Sequence, residues 1–279
     1  GNNNTGIGLG ALQQNSGGNN NTATGSGALS GNSTGENNTA VGESALHNNA
    51  AGSANTALGF HALANSADGE SNTAVGYAAL EDHTSGASNV ALGSFAGSGN
   101  TTGSFNVSIA SPGIEGENNT TRIGTVGEQR RAFVAGVRGV TTGTADAVTV
   151  VIDSNGQLGT ISSSARFKTD INDMDDASER LLALRPVTFQ YRDAYADGSQ
   201  PLEYGLIAEE VAEIFPELVV FGEEDRPETV KYRLLSSLLL NEVQKQHTTL
   251  SGQETEITEL RSQLDELSRR LDRMSQDAG

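Results

Sequence analysis

An asparagine returns every 17 residues through the first half of the chain, at Asn4, Asn21, Asn38, Asn55, Asn72, Asn89 and Asn106. Gly8, Gly25, Gly42, Gly59, Gly76 and Gly93 keep the same step, as do Gly18, Gly35, Gly52, Gly69, Gly86 and Gly103. Leu12, Leu29, Leu46, Leu63 and Leu80 follow it too, each preceded by alanine. A disordered tract has no reason to hold a register in this way, whereas a stacked array has. The unit reads roughly Asn-Thr-Ala-Val-Gly-x-x-Ala-Leu, then a polar loop with glycine. It has room for one or two short strands and their turns, so residues 1–126 are predicted to form a β-solenoid shaft with units stacked at the strand spacing. The β-branched position (Ile7, Val41, Val75, Ile109) and the Ala-Leu pair are expected inside. Both glycine columns are expected at turns that need positive φ. The asparagines are expected to form amide ladders.

Composition bears on how such a shaft is stabilised. The 279 residues are 35% hydrophobic and 5% aromatic, with no Trp and 34 Gly. Each unit carries little apolar surface, so three chains are expected to share one core. The units resemble the head repeats of trimeric autotransporter adhesins and of phage tail fibres. There an Asn-Ser/Thr-Val/Ala-Ile/Val-Gly motif stacks into a trimeric β-roll, usually with a somewhat shorter period.

Several function classes fall away. A formal net charge of −18 repels phosphate backbones and argues against nucleic-acid binding. There is no cysteine, hence no disulfide and no thiolate metal site, which fits an extracellular object. No apolar run is long enough to span a membrane, so no membrane insertion is expected, and these residues show no signal-peptide pattern, so any targeting information is expected upstream. Gly1 falls inside a repeat, so the chain is expected to be part of a longer protein. The calcium-solenoid pattern Gly-Gly-x-Gly-x-Asp is absent. His47, His61, His83 and His247 are scattered without ligand spacing, and no metal or cofactor is expected. Thr5, Thr22, Thr39, Thr56 and Thr73 form a column that an ice- or glycan-binding face would use. One threonine per rung is a narrow stripe, however, and threonine fills a β position equally well.

Residues 127–162 read as a β-rich neck. Phe133–Val140 and Ala147–Ile152 are strand-like runs, and Asp153-Ser154-Asn155-Gly156 is a turn before the return strand Gln157–Ile161. From 163 to about 249 the chain becomes an α+β domain. Acidic Asp173, Asp175 and Asp176 open a helix that Pro186 ends. Val187, Phe189 and Tyr191 alternate as a strand, and Tyr204–Ile207 is a short strand leading into a helix Ala208–Phe215. Leu218–Phe221 and Val230–Tyr232 are further strands around a charged loop. Glu209, Glu210 and Glu217 are read as structural, the first two at a helix N-terminus.

Within that domain Ser163-Ser164-Ala165-Arg166-Phe167-Lys168-Thr169-Asp170-Ile171 resembles the opening of the intramolecular chaperone domain of phage tail spikes, tail fibres and endosialidases. Leu184–Tyr191, Tyr204–Val211, Phe215–Val219, Val230–Tyr232 and Leu239–Gln246 follow in the family's order. The resemblance implies a domain that helps three chains fold and register a fibre, then releases itself by one self-cleavage. It implies Ser163 as nucleophile, Lys168 as its base, and Ser163–Ser164 as the scissile bond, with Ser164 where many relatives have Asp. Ser162 and Ser164 could compete with Ser163 as nucleophile.

The chemistry is coherent. A serine hydroxyl needs a base to take its proton, and a neutral lysine serves when burial lowers its pKa. Phe167 and Ile171 are the apolar neighbours expected to bury Lys168. Arg166 either disfavours the charged amine or binds the developing oxyanion.

Residues 250–279 close the chain with a heptad seam. Val243, Leu250, Ile257, Leu264 and Leu271 are seven apart, with Gln246, Gln253, Leu260, Leu267 and Met274 at the partner position. The expected whole is mainly β plus α+β: a trimeric stacked β-solenoid or β-roll shaft, a small chaperone domain and a coiled coil. The expected function is the C-terminal part of a homotrimeric tail-fibre-like surface fibre, on a virion or bacterial surface. A cell-surface glycan or protein receptor would bind through the shaft or upstream regions. The competing expectation is a non-enzymatic adhesin or filament that keeps its C-terminal domain as a trimerisation cap.

Overall fold

The computed structural model describes residues 1–277. The chain divides into two compact units, residues 1–145 and the part from Asp146 onward.

The first unit is a parallel β-solenoid. Its strands are β1 (Thr5–Ile7), β2 (Thr22–Thr24), β3 (Thr39–Val41), β4 (Thr56–Leu58), β5 (Thr73–Val75), β6 (Val90–Leu92), β7 (Val107–Ile109) and β8 (Thr121–Ile123). They form one eight-stranded sheet in sequence order. Thr5 pairs with Thr22, Thr22 with Thr39, and so on in strict register. The last coil is shorter, with Val107 opposite Thr121. It ends on Arg122, whose guanidinium makes two bonds to Glu117, at 2.7 and 2.6 Å. Those hydrogen bonds hold the Glu117 carboxyl below its ordinary range.

The interior differs from expectation in one respect. The Ala-Leu pair is inside, but the third inward column is the middle alanine of each strand: Ala23, Ala40, Ala57, Ala74 and Ala91. The β-branched column points outward, with Ile7, Leu58 and Leu92 about half exposed or more. A three-residue strand shows its centre to one face and its ends to the other. The small alanine methyl is what lets the coil close tightly. Leu29, Leu46, Leu63 and Leu80 enter the core from left-handed backbone, φ 49 to 52°. That conformation costs roughly 1–2 kcal/mol per residue, against about 1.5–3 kcal/mol gained by burying each side chain.

The core is also complete within one chain, contrary to the expectation that three chains share it. The inward alanines and leucines from Ala23 to Ala96 are at most 2% exposed in the single chain. Polar ladders supply what the thin apolar content lacks. Asn21, Asn38, Asn55, Asn72 and Asn89 are buried. Each accepts at Oδ1 from the backbone N–H of the next asparagine, for example Asn38 N to Asn21 Oδ1 at 2.9 Å. Each donates through Nδ2 to a glycine carbonyl, as Asn38 does to Gly52 at 2.8 Å. Each amide of this column is thereby paired at both its oxygen and its nitrogen, as burial requires.

The two glycine columns are glycine for different reasons. Gly25, Gly42, Gly59 and Gly76 have φ of 134 to 142°, as expected of a left-handed turn. Gly35 and Gly52 do not have positive φ; there the constraint is space. A Cβ on Gly35 would lie 2.3 Å from the Gly52 oxygen and 2.5 Å from Asn32 Oδ1.

In the second unit, β9 (Val151–Ile152) and β10 (Leu158–Gly159) form the expected hairpin. The Asp153 carboxylate accepts from the N–H groups of Asn155 and Gln157 at 2.9 Å each. Asp175–Ala183 is helical as read, but as a run of 3-10 turns. β11 (Val187–Phe189) pairs antiparallel with β12 (Glu203–Gly205). Helix α1 (Ala208–Ile214) follows, then β13 (Val219–Phe221) antiparallel to β14 (Pro227–Val230). The end of the charged loop, Pro227 and Glu228, is thus strand, and Tyr232 starts the turn into helix α2 (Leu235–Asp277). Val211, Phe215, Leu218, Val219, Val230 and Leu238 make a small core. Beyond it the α2 seam is uncovered: Val243, Leu250, Ile257, Leu260, Leu264, Leu267, Leu271 and Met274 are 48–73% exposed.

Candidate self-cleavage site

The serine cluster runs from extended backbone into a single 3-10 turn, Ala165–Phe167. Ser164 caps it with φ −66° and ψ 135°. The turn closes through Phe167 N to Ser164 O and Lys168 N to Ala165 O, both 3.1 Å. Serine is favoured there because its hydroxyl can accept from an amide that the turn leaves unpaired.

This geometry gathers some of the expected residues and separates others. Ser164 Oγ accepts from Arg166 N at 3.4 Å and from Arg166 Nε at 3.2 Å. Ser164 N donates to Ser162 Oγ at 3.2 Å. Ser163 and Lys168 are both exposed, and no hydrogen bond joins them. Arg166 therefore stands at Ser164. The expected apolar cover over Lys168 is not formed within the chain, where Phe167 and Ile171 are 70% and 67% exposed. The turn directs the Phe167 ring to the Arg166 guanidinium, 5.2 Å from the ring centroid.

Downstream, a polar clamp fixes the segment that follows the cluster. Ser178, fully buried in the Asp175–Ala183 run, donates to Glu242 Oε1 at 2.5 Å and accepts from Asn241 Nδ2 at 2.6 Å, both on α2. Lys245, also on α2, donates to Glu179 at 2.9 Å and Asp176 at 3.1 Å. Those two carboxylates raise its pKa above the ordinary lysine range. Sequence reading missed this clamp because its halves lie more than sixty positions apart.

Two of the three glutamates singled out in the sequence, Glu210 and Glu217, sit in ion pairs. Glu210 pairs with Arg185, whose hydrogen bond holds the carboxyl below its usual range. Glu217 meets Arg180 at 3.3 Å, and that guanidinium lies 4.0 Å from the Phe215 ring centroid. Among the described residues no group of three or more histidine, cysteine, aspartate or glutamate side chains could hold a metal ion.

A second interior column in the shaft also went unread, although its period is visible at Asn15, Asn32 and Asn49. Asn32 donates to Asn15 Oδ1 and Asn49 to Asn32 Oδ1, each at 2.7 Å. Ser66 and His83 continue the column, and both are fully buried. His83 Nδ1 bonds the Asn100 carbonyl at 2.9 Å, and Asn89 Nδ2 lies 3.3 Å from His83 Nε2. Burial pushes the His83 pKa down.

Among the described residues no helix is long and apolar enough to cross a membrane. No curated protein and no solved structure gives a significant match to the chain. Residues 163–220 match the model of a peptidase family described as chaperone of endosialidase. The match begins at Ser163, and it covers the serine cluster, α1 and the first residues of β13. Over residues 163–220, then, the chain is similar to the chaperone-of-endosialidase family, in the part that follows a parallel β-solenoid.

Proposed function

We propose that this chain is the C-terminal part of a homotrimeric, tail-fibre-like surface fibre, on a virion or a bacterial surface. Its chaperone domain drives trimerisation and then releases itself by cutting Ser163–Ser164. The observation that carries the reading is the domain match that begins at that serine cluster, C-terminal to a repeat shaft and its neck.

Physical supports lie on either side. The exposed α2 seam is a heptad surface that copies of the chain would cover. In the neck Phe133, Val134, Val137 and Val140 are 63–88% exposed, again with no cover inside the chain. The shaft closes its own core, so each chain winds its coils alone and the copies meet through neck and α2. A helical seam aligning three chains offsets the entropy of pairing distant segments. Cleavage then makes assembly irreversible, because the element that aligned the chains leaves. A glycan or protein receptor would be met by the shaft or by regions upstream.

The Ser-Lys chemistry of the family resemblance uses a hydroxyl of the cluster, with Ser163 the one it names, and Lys168 as base. The test is expression of the full chain beside Lys168→Ala, followed by denaturing gel and intact mass. The reading expects the wild type as two fragments meeting at Ser163–Ser164, and the variant at full length. One observation favours a second reading, a permanently retained trimerisation cap: Ser163 and Lys168 are exposed and not joined. That reading expects an assembled wild type of full length.

A further inference from the structure

We infer that the outward face of the solenoid sheet binds ice, holding a layer of ordered water on two regular columns of side chains. This goes beyond the fibre reading and does not rest on it, since a single chain builds the whole face.

The second column is what the threonine period alone did not show. Each three-residue strand buries its middle residue and turns both ends outward. Every rung therefore presents two side chains to solvent. The first column is threonine on five successive rungs, Thr5 to Thr73, and then Val90 and Val107. The second is isoleucine, valine or leucine on every strand except β2, where it is Thr24. Ile7, Leu58, Val90 and Leu92 are 42–61% exposed. Neither column holds a charge, in a chain with 35 acidic residues.

The columns form a lattice. Parallel strands stand about 4.8 Å apart, and residues two apart on one strand about 6.6 Å. The oxygen rows on the prism faces of hexagonal ice repeat near both distances. The rungs also repeat one another closely. The N–H groups of Thr22, Thr39, Thr56 and Thr73 each donate to the next rung's asparagine carbonyl at 2.8 Å. Those of Gly42, Gly59 and Gly76 donate back to the previous strand, again at 2.8 Å. The asparagine ladder beneath is the kind of device that keeps a sheet from twisting.

The chemistry selects the occupant. Among the described residues, no threonine hydroxyl from Thr5 to Thr73 bonds another group of the chain. A dry contact with a second copy would bury those hydroxyls unpaired, which is unfavourable. A glycan or peptide is gripped by placed amides and charged groups, and these columns offer none. Water satisfies every hydroxyl, while the methyl groups beside them restrict its orientation. One rung holds ice weakly, but eight strands fixed on one lattice engage together.

The experiment grows ice slowly into a solution of the full-length chain mixed with an inert protein of similar size, and measures both in ice and liquid. The inference expects the shaft-bearing species to be enriched severalfold in ice over the inert protein, and to hold the freezing point below the melting point. Self-cleavage does not affect the reading, because the shaft lies N-terminal to the proposed cut. Thr39→Tyr combined with Thr56→Tyr should reduce enrichment to the inert level, with wild-type circular dichroism and sedimentation. Asp68→Tyr, at an exposed position away from the strands, should leave it unchanged. Should the double variant unfold, Thr39→Ser with Thr56→Ser, which removes the methyl groups, is read in its place and should lower enrichment severalfold. A wild type that is not enriched overturns the inference. Enrichment that survives the face variants overturns the assignment to these columns. A folded double variant that sediments as a smaller species overturns it too, since the face would then be a contact between copies.

Discussion

The hydroxyl of Ser178 donates to the Glu242 carboxylate at 2.5 Å, and both residues are buried where the Asp175–Ala183 run meets α2. Helix α2 is thereby tied to the segment that follows the serine cluster. Removing the Ser178 hydroxyl leaves a nearly buried carboxylate short of a donor, with Lys245 Nζ 3.6 Å away. Ser178→Ala should cost about 1–3 kcal/mol of domain stability, read as a lower urea midpoint. In a cycle with Glu242→Gln the two losses should not add. Strict additivity would mean that the contact contributes no coupling.

The shaft has an interior flaw that can be repaired. Asn49 Oδ1 and Ser66 Oγ are buried on adjacent rungs, and neither has a protein hydrogen-bond partner. The serine is too short to pass the amide ladder on. Ser66→Asn should restore a donor to Asn49 Oδ1, as Asn49 itself gives Asn32. The expected gain is about 1 kcal/mol, seen as a thermal midpoint several degrees higher. A lower midpoint would show that the rung lacks room for the amide.

Acid should loosen the same column. His83 is held neutral by burial, and its nearest polar partners, the Asn100 carbonyl and the Asn89 amide, carry no charge. Its folded pKa lies below the unfolded value of about 6.5. The unfolded chain therefore binds more protons between those two values. The His83 contribution is fully present above about pH 6.5 and is lost as pH falls through the folded pKa, with a limiting slope of about 1.4 kcal/mol per pH unit. His83→Asn should abolish that dependence in denaturant titrations between pH 5 and pH 7. Equal slopes in both proteins would refute the assignment.

The α2 seam predicts an assembly phenotype. Ile257→Asp puts a carboxylate at the centre of an apolar surface that packing would bury. Sedimentation should find the wild type as a trimer and the variant mainly as monomer, with the solenoid's circular dichroism unchanged because its core closes within one chain. A wild type that sediments as a monomer would remove the basis for the fibre reading.

Much of the shaft was legible because a fixed period forces every column to repeat its environment. The strands, the first asparagine ladder and the inward Ala-Leu pair all followed from Asn21, Ala28, Leu29 and their copies. The direction of the β-branched column was not legible. Thr-Ala-Val alternates by chemistry in a way that suits either face, and only coil width decides that alanine goes inside. Nor could the period say that Gly35 is glycine for space and Gly42 for φ. At the site, the motifs located the cluster, but which hydroxyl Arg166 meets depends on a single 3-10 turn. The Ser178–Glu242 clamp joins segments far apart in sequence, which local pattern does not reach.

The central claim is that the chain cuts itself once, at the serine cluster. Its most direct test is the intact mass of the purified wild-type chain after assembly. The account predicts two species, residues 1–163 and 164–279, whose masses sum to that of the full chain plus one water. A single full-length mass from assembled protein would contradict it.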